Sequence, residues 1–148
     1  MKTKITLLLF SLCLSFITKA QWTNQTSGTS NYLYGIYFTD VNNGYAVGTT
    51  GTILNTTNGG STWTPQMSGD TNSYTAVHFT NATTGYVSGG NGRILKTTTS
   101  GSSWSILITG TAHYLYGIHF PNDTLGFAVG YSGTIIKTTN AGTIWNGL

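Results

Sequence analysis

The sequence predicts an all-β chain of β-propeller-type blades: three four-stranded antiparallel sheets on a 41-residue repeat, forming a partial propeller. Three observations carry this. The tryptophans stand at Trp22, Trp63, Trp104 and Trp145, so every interval is 41 residues and no gap is needed. The stretch from Gly51 to Trp63 returns from Gly92 to Trp104 and again from Gly133 to Trp145. No helical periodicity follows residue 20, and twenty glycines with two prolines suit a chain of tight turns. A small antiparallel sheet repeated every ~40–45 residues is the signature of a propeller blade.

Residues 1–20 read as a signal peptide. Lys2 and Lys4 give a positive start, residues 5–17 an apolar run, and Thr18 to Ala20 a small-residue cleavage site. The apolar run is short for a membrane span. Cys13 lies inside it and leaves with it. Removal takes three of the six basic residues, leaving Arg93, Lys96 and Lys137 against Asp40, Asp70 and Asp123. The basic pI therefore belongs to the leader. A mature chain of zero net charge has no retained basic patch for nucleic acid. No second apolar segment follows, so no membrane attachment is expected after cleavage. The expected location is secreted, periplasmic or cell-surface.

The mature part, 21–148, divides into repeats at about 22–62, 63–103 and 104–144, with a truncated fourth strand behind them. The first unit shows four strand candidates: Leu33–Phe38, Gly44–Gly48, 52–56 and 62–66. Each is about five residues of β-branched and aromatic type bounded by Gly, Asn, Asp or Ser. The joints are short, as hairpins require.

Aligned columns assign the packing. Ile36, Val77 and Ile118 match, as do Phe38, Phe79 and Phe120. They lie two apart and so share a face of the first strand. Gly35, Ala76 and Gly117 keep the other face small. The pairs Ile53-Leu54, Ile94-Leu95 and Ile135-Ile136 fit a strand buried on both sides. Each indole, ~200 Å² when buried, is expected to wedge between neighbouring blades.

The segment Thr56-Thr-Asn-Gly-Gly-Ser-Thr-Trp63 resembles the Asp-box hairpin of bacterial neuraminidase-type repeats. The wider pattern of Gly48, Gly51, Ile53, Thr56, Gly59, Gly60 and Trp63 is similar to the repeats of the photosystem II stability and assembly factor family. The resemblance covers all three units. It implies propeller blades whose hairpins are tied by a polar side chain, here Asn58, Thr99 or Asn140 in place of aspartate, beside Gly60, Gly101 and Gly142. Ile144 replaces the last threonine of the box. Proteins with Asp-box repeats include sialidases, xyloglucanases, sorting receptors and assembly chaperones, so the motif specifies fold more than activity.

Four tryptophans mark four outer strands, yet only three sets of inner strands exist. Three blades also fall below the roughly four to eight of closed propellers. The chain is therefore expected to be a fragment of a longer propeller, or an arc with missing blades that self-associates.

The residues that could do chemistry are few. The mature chain has no glutamate, and its three aspartates sit in loops as turn formers. Glycoside hydrolysis needs two converging carboxylates, and a sialidase needs an arginine cluster where only Arg93 exists. No catalytic residue, metal ligand set or cofactor is assigned. His78, His113 and His119 are dispersed, whereas zinc needs three or four ligands together. The expectation is a non-enzymatic binding or assembly module for a protein or glycan, resembling the assembly-factor repeats. The alternative is a piece of a larger Asp-box glycoside hydrolase, sialidase- or xyloglucanase-like, with its catalytic residues elsewhere. The candidate binding face comprises Asn31, Tyr32, Asn72, Tyr74 and Asn91, with Arg93, His113, Tyr114 and Tyr131; aromatic and amide groups with one arginine suit such a surface.

Overall fold

In the computed structural model, which describes residues 23–148, the chain forms three four-stranded antiparallel sheets. The first contains β1 (Leu33–Phe38), β2 (Gly44–Gly48), β3 (Ile53–Thr56) and β4 (Thr64–Gln66). The second contains β5 (Tyr74–Phe79), β6 (Gly85–Gly89), β7 (Ile94–Thr97) and β8 (Ser105–Leu107). The third contains β9 (Leu115–His119), β10 (Gly126–Gly130), β11 (Ile135–Thr138) and β12 (Asn146–Gly147). Each sheet is a meander, its strands in sequence order, as short hairpin loops dictate. The expected leader 1–20 and Trp22 lie outside the described residues.

Register repeats from sheet to sheet. Tyr37 pairs with Tyr45, His78 with Tyr86 and His119 with Phe127. A bulge recurs near the start of each first strand, between Leu33 and Gly35 and between Tyr74 and Ala76, with a matching shift opposite Val129 and Gly130. Two single turns of 3₁₀ helix, Gly90–Gly92 and Tyr131–Gly133, close the β6–β7 and β10–β11 connections. No periodicity could announce them, because each is three residues long.

The core is two inter-sheet seams. In the first, Tyr45, Val47 and Ile53 meet Tyr74, Val77, Phe79, Val87 and Leu95. In the second, Tyr86 and Ile94 meet Leu115, Ile118, Phe120, Ala128, Ile136 and Trp145. Phenylalanine and tyrosine rings bridge both seams. Tyr45 stacks on Phe79 at 4.1 Å, and its hydroxyl donates to the Ser100 carbonyl at 3.0 Å. Tyr86 stacks on Phe120 at 3.8 Å and donates to the Ala141 carbonyl at 3.1 Å. Trp104 and Trp145 join the two inter-sheet clusters, whereas Trp63 belongs to neither. Trp63, Trp104 and Trp145 each meet a phenylalanine of their own sheet edge-on: Phe38, Phe79 and Phe120, at 6.1, 6.3 and 5.9 Å. Trp104 and Trp145 thereby brace the phenylalanine on which the preceding sheet's tyrosine lies.

The hairpin before each outer strand is held by one buried threonine. Thr56 Oγ1 accepts from the Asn58 and Gly60 amides, and Asn58 Oδ1 accepts from the Thr62 amide at 2.9 Å. Thr97 repeats this with the Thr99 and Gly101 amides, and Thr138 with those of Asn140 and Gly142. Thr99 Oγ1 accepts from the Ser103 amide at 3.1 Å, and Asn140 Oδ1 from that of Ile144 at 2.9 Å. Losing the hydroxyl at 144 thus leaves the turn's main-chain bond intact. Gly101 and Gly142 stand at positive φ, where a Cβ would meet Tyr45 or Leu107 of the preceding sheet.

Candidate binding face

The segments joining sheets and the turns between second and third strands lie together and carry most of the nominated residues. Their main-chain shape is set locally. Thr50, Asn91 and Ser132 adopt left-handed φ of 57°, 55° and 58°, each followed by a glycine at positive φ. Thr29, Asp70 and Thr111 each accept from the amide two residues on, at Asn31, Asn72 and His113. These side-chain turns present the position-31, -72 and -113 side chains in one orientation.

Nominated residues then tether neighbouring loops. Asn31 Nδ2 donates to Thr52 Oγ1 at 2.8 Å, and His113 Nδ1 lies 2.6 Å from Thr134 Oγ1. In the middle unit Arg93 replaces that threonine, and Asn91 Nδ2 donates instead to Asn72 Oδ1 at 2.8 Å. Arg93 turns to Asp70, with Nε 3.1 Å from Oδ2: an ion-pair contact lacking the angle of a hydrogen bond.

Asp70 is the polar hub that the sequence did not single out. Its carboxylate accepts from Tyr74 Oη at 2.6 Å and from the Asn72 amide and Nδ2. Burial works to raise its pKa, but the bonds from Tyr74 and Asn72 and the Arg93 charge hold it below the usual carboxylate range. Tyr74 itself does not belong to the face. It is fully buried in the first seam, and burial together with Asp70 drives its phenol pKa up. The reason is register: Tyr74 follows the Leu33 and Leu115 column, which points inward, whereas Tyr32 and Tyr114 align with Ser73.

The exposed tyrosines among the described residues are Tyr32, Tyr131 and two that the sequence reading missed, Tyr34 and Tyr116. Tyr114 stacks on Tyr116 with centroids 5.4 Å apart, and His113 meets Tyr131 edge-on at 6.1 Å. A column of Tyr34, Thr75 and Tyr116 at the 41-residue spacing was the available signal. A second ladder runs along the first strands. Tyr37 Oη donates to the Phe79 carbonyl at 3.0 Å, and His78 Nε2 lies 3.1 Å from that of Phe120. Burial, then the neighbouring His119, lower the His78 pKa.

The other polar candidates serve turns. Asp40 accepts from the Asn42 and Asn43 amides and from Asn43 Nδ2. Asp123, expected as a turn former, instead receives Asn81 Nδ2 from the neighbouring sheet's loop at 3.4 Å, and its own turn is tied by Asn122 Oδ1, which accepts from the Thr124 and Leu125 amides. Among the described residues no three His, Cys, Asp or Glu side chains converge as a metal site would require. Among them also, no helix is long and apolar enough to cross a membrane.

A family model described as photosynthesis system II assembly factor YCF48 matches residues 14–109. Among solved structures, "YCF48 bound to D1 peptide" is similar with a TM-score of 0.75 and 24% identity, covering 82% of this chain and 41% of that one. YCF48 from Cyanidioschyzon merolae gives a TM-score of 0.76 and 26% identity, covering 86% of this chain and 43% of that one. The chain thus spans about two fifths of the length of each solved relative. No curated protein matches it.

Proposed function

Because the chain belongs to the photosynthesis system II assembly factor YCF48 family, we propose that it is a non-catalytic binding module that takes an extended protein segment. The observation that carries this is the paired aromatic surface of the third unit. Tyr114 on Tyr116 and His113 against Tyr131 form aromatic ground, with Tyr114 against Gly90, the residue before the amide-bearing Asn91. Tyrosines supply large contact area at small entropic cost, and a neighbouring amide can bond a peptide backbone. That one solved relative carries a D1 peptide supports a peptide over a sugar.

The test is a screen of immobilised peptides, the D1 peptide among them, run beside a glycan array. Peptide binding that Tyr116→Ala with Tyr131→Ala weakens at least tenfold supports the reading. Glycan binding alone, or peptide binding indifferent to both changes, overturns it. The hairpins held by Thr56, Thr97 and Thr138 support an Asp-box assignment for the repeat.

The basic start and apolar run of residues 1–20 support export. Mass spectrometry of the mature product tests it, since export with cleavage gives an N-terminus at Gln21. A cytoplasmic product with its leader intact refutes it.

A further inference from the structure

The three units repeat closely, so a place where one unit departs in charge stands out. Asn55, Lys96 and Lys137 share one column of the repeat, and Val41, Ala82 and Asp123 share another. At the second seam these columns bring Lys96 of β7 and Asp123 of the β9–β10 loop to one cleft of about 220 Å³, with Thr80, Asn81, Tyr86 and Ala141. The matching residues at the first seam are Asn55 and Ala82. There Asn55 Nδ2 stays within its own sheet and donates to the Gly44 carbonyl at 3.1 Å. The cleft stands at the strand ends opposite the candidate binding face, because the loops after the first strands and the hairpins before the outer strands leave that end of each meander.

The two charges are held apart. Lys96 Nζ donates to the Ala141 carbonyl at 2.9 Å and sits 5.4 Å over the Tyr86 ring, so carbonyl and ring together fix the ammonium. Asp123 lies across the seam, and its Oδ1 takes only the long contact from Asn81 Nδ2 at 3.4 Å. Arg93 with Asp70 is the one ion pair among the described residues, so Lys96 and Asp123 do not close on each other. A flexible surface pair would close or drift apart at little cost. Here an ammonium with N–H groups to spare after its bond to Ala141 and a carboxylate short of donors border the same space.

We propose that this cleft binds a small zwitterion of the α-amino-acid class, its carboxylate on Lys96 Nζ and its ammonium on Asp123. The charges choose the class. A lone carboxylate is drawn to Lys96 but repelled by Asp123, and a lone ammonium meets the reverse. A molecule carrying both groups satisfies both sides. Size points the same way: drug-sized ligands occupy about 300–1,000 Å³, and this cleft is smaller. The Asn81 amide and the Thr80 hydroxyl, on the same lining, can take further hydrogen bonds. Because Lys96 is already fixed, little side-chain freedom is lost when the carboxylate arrives. The inference is independent of the peptide-binding reading, which uses the other end of the sheets.

An NMR titration of the isotope-labelled chain with glycine and the L-α-amino acids tests it. Saturable shifts are expected at the amides of residues 80–84, 96–98, 123 and 141. Acetate and ethylammonium, which carry a single charge, are expected to bind at least tenfold more weakly. Lys96→Met and Asp123→Asn each remove a charge-assisted bond and are expected to weaken the amino acid roughly ten- to hundredfold. Asp123→Asn is also expected to strengthen acetate binding, because the repelling carboxylate is gone; a change that merely loosened the fold would not do that. Lys137→Met, in the same column as Lys96 but off the cleft, is expected to leave binding unchanged. Absence of saturable shifts at the cleft with every amino acid overturns the proposal. So does acetate or ethylammonium binding as tightly as the amino acids, or binding that survives either substitution at the cleft. If Lys96→Met unfolds, Asp123→Asn, at an exposed loop position, still decides.

Discussion

Tyr86 and Phe120 lie face to face across the second seam, 3.8 Å between centroids and 15° from parallel. Burial of that ring, and the charge of Asp123, push the Tyr86 phenol up to about 12, so it stays a neutral donor to the Ala141 carbonyl. Phe120→Ala removes the stacking partner and the brace on Trp145, and is expected to cost about 3–5 kcal/mol. Tyr86→Phe removes only the hydrogen bond, about 1 kcal/mol. Urea unfolding of both variants checks the ratio. Equal losses would mean the ring contact contributes little.

The hairpin threonines give a second measurement. Thr97→Val keeps the shape but leaves the buried Gly101 amide without its acceptor, at an expected cost of about 1–3 kcal/mol. Thr98→Val, one residue away and exposed, is expected to stay within about 0.5 kcal/mol of wild type. Thermal melts of the pair decide whether the hydroxyl or mere β-branching holds the turn.

Two glycines separate steric crowding from backbone strain. Gly142 has φ of 84°, and a Cβ there would stand 2.7 Å from Leu107 Cδ1, while Gly110 at φ 75° has nothing within 4 Å. Gly110→Ala is expected to cost about 1–2 kcal/mol from the left-handed backbone alone. Gly142→Ala should cost more, because the side chain also presses on the preceding sheet. Denaturant midpoints that coincide would refute the crowding.

Asp70 makes stability depend on pH. Its carboxyl pKa is depressed in the folded chain. The stabilisation is therefore present above the unfolded value, about 3.9, and is lost as pH falls through the folded one. Asp70→Asn is expected to lower stability at neutral pH and to flatten its fall below about pH 4. Asp40, also depressed by its bonds to Asn43 and Asn42, keeps part of the slope. Melting temperatures from pH 6 to 2 read both effects, and parallel curves would remove Asp70 from the account.

The sheets were legible because glycine, asparagine and β-branched residues recur at one spacing, and strand propensity and turn chemistry agree at every repeat. The first-strand face of Val77, Phe79, Ile118 and Phe120 was legible for the same reason. The ring-on-ring seams were not. Tyr45 and Tyr86 align in the sequence, but only three-dimensional packing shows that they leave their own sheet for the next one. Tyr74 was misplaced by one register position, which in a strand exchanges surface for interior. Asp70 was read only as a turn former, because its contact with Arg93, which lies beyond β6, shows only in three dimensions.

The hairpins that close each sheet are fastened by threonine hydroxyls and an occasional amide, with no ionised group among them. Such clasps neither titrate nor feel dissolved ions. Brine can weaken the Arg93–Asp70 attraction, and strong acid can remove it, while every clasp stays shut, so the frame outlasts the one ionic contact found among the described residues.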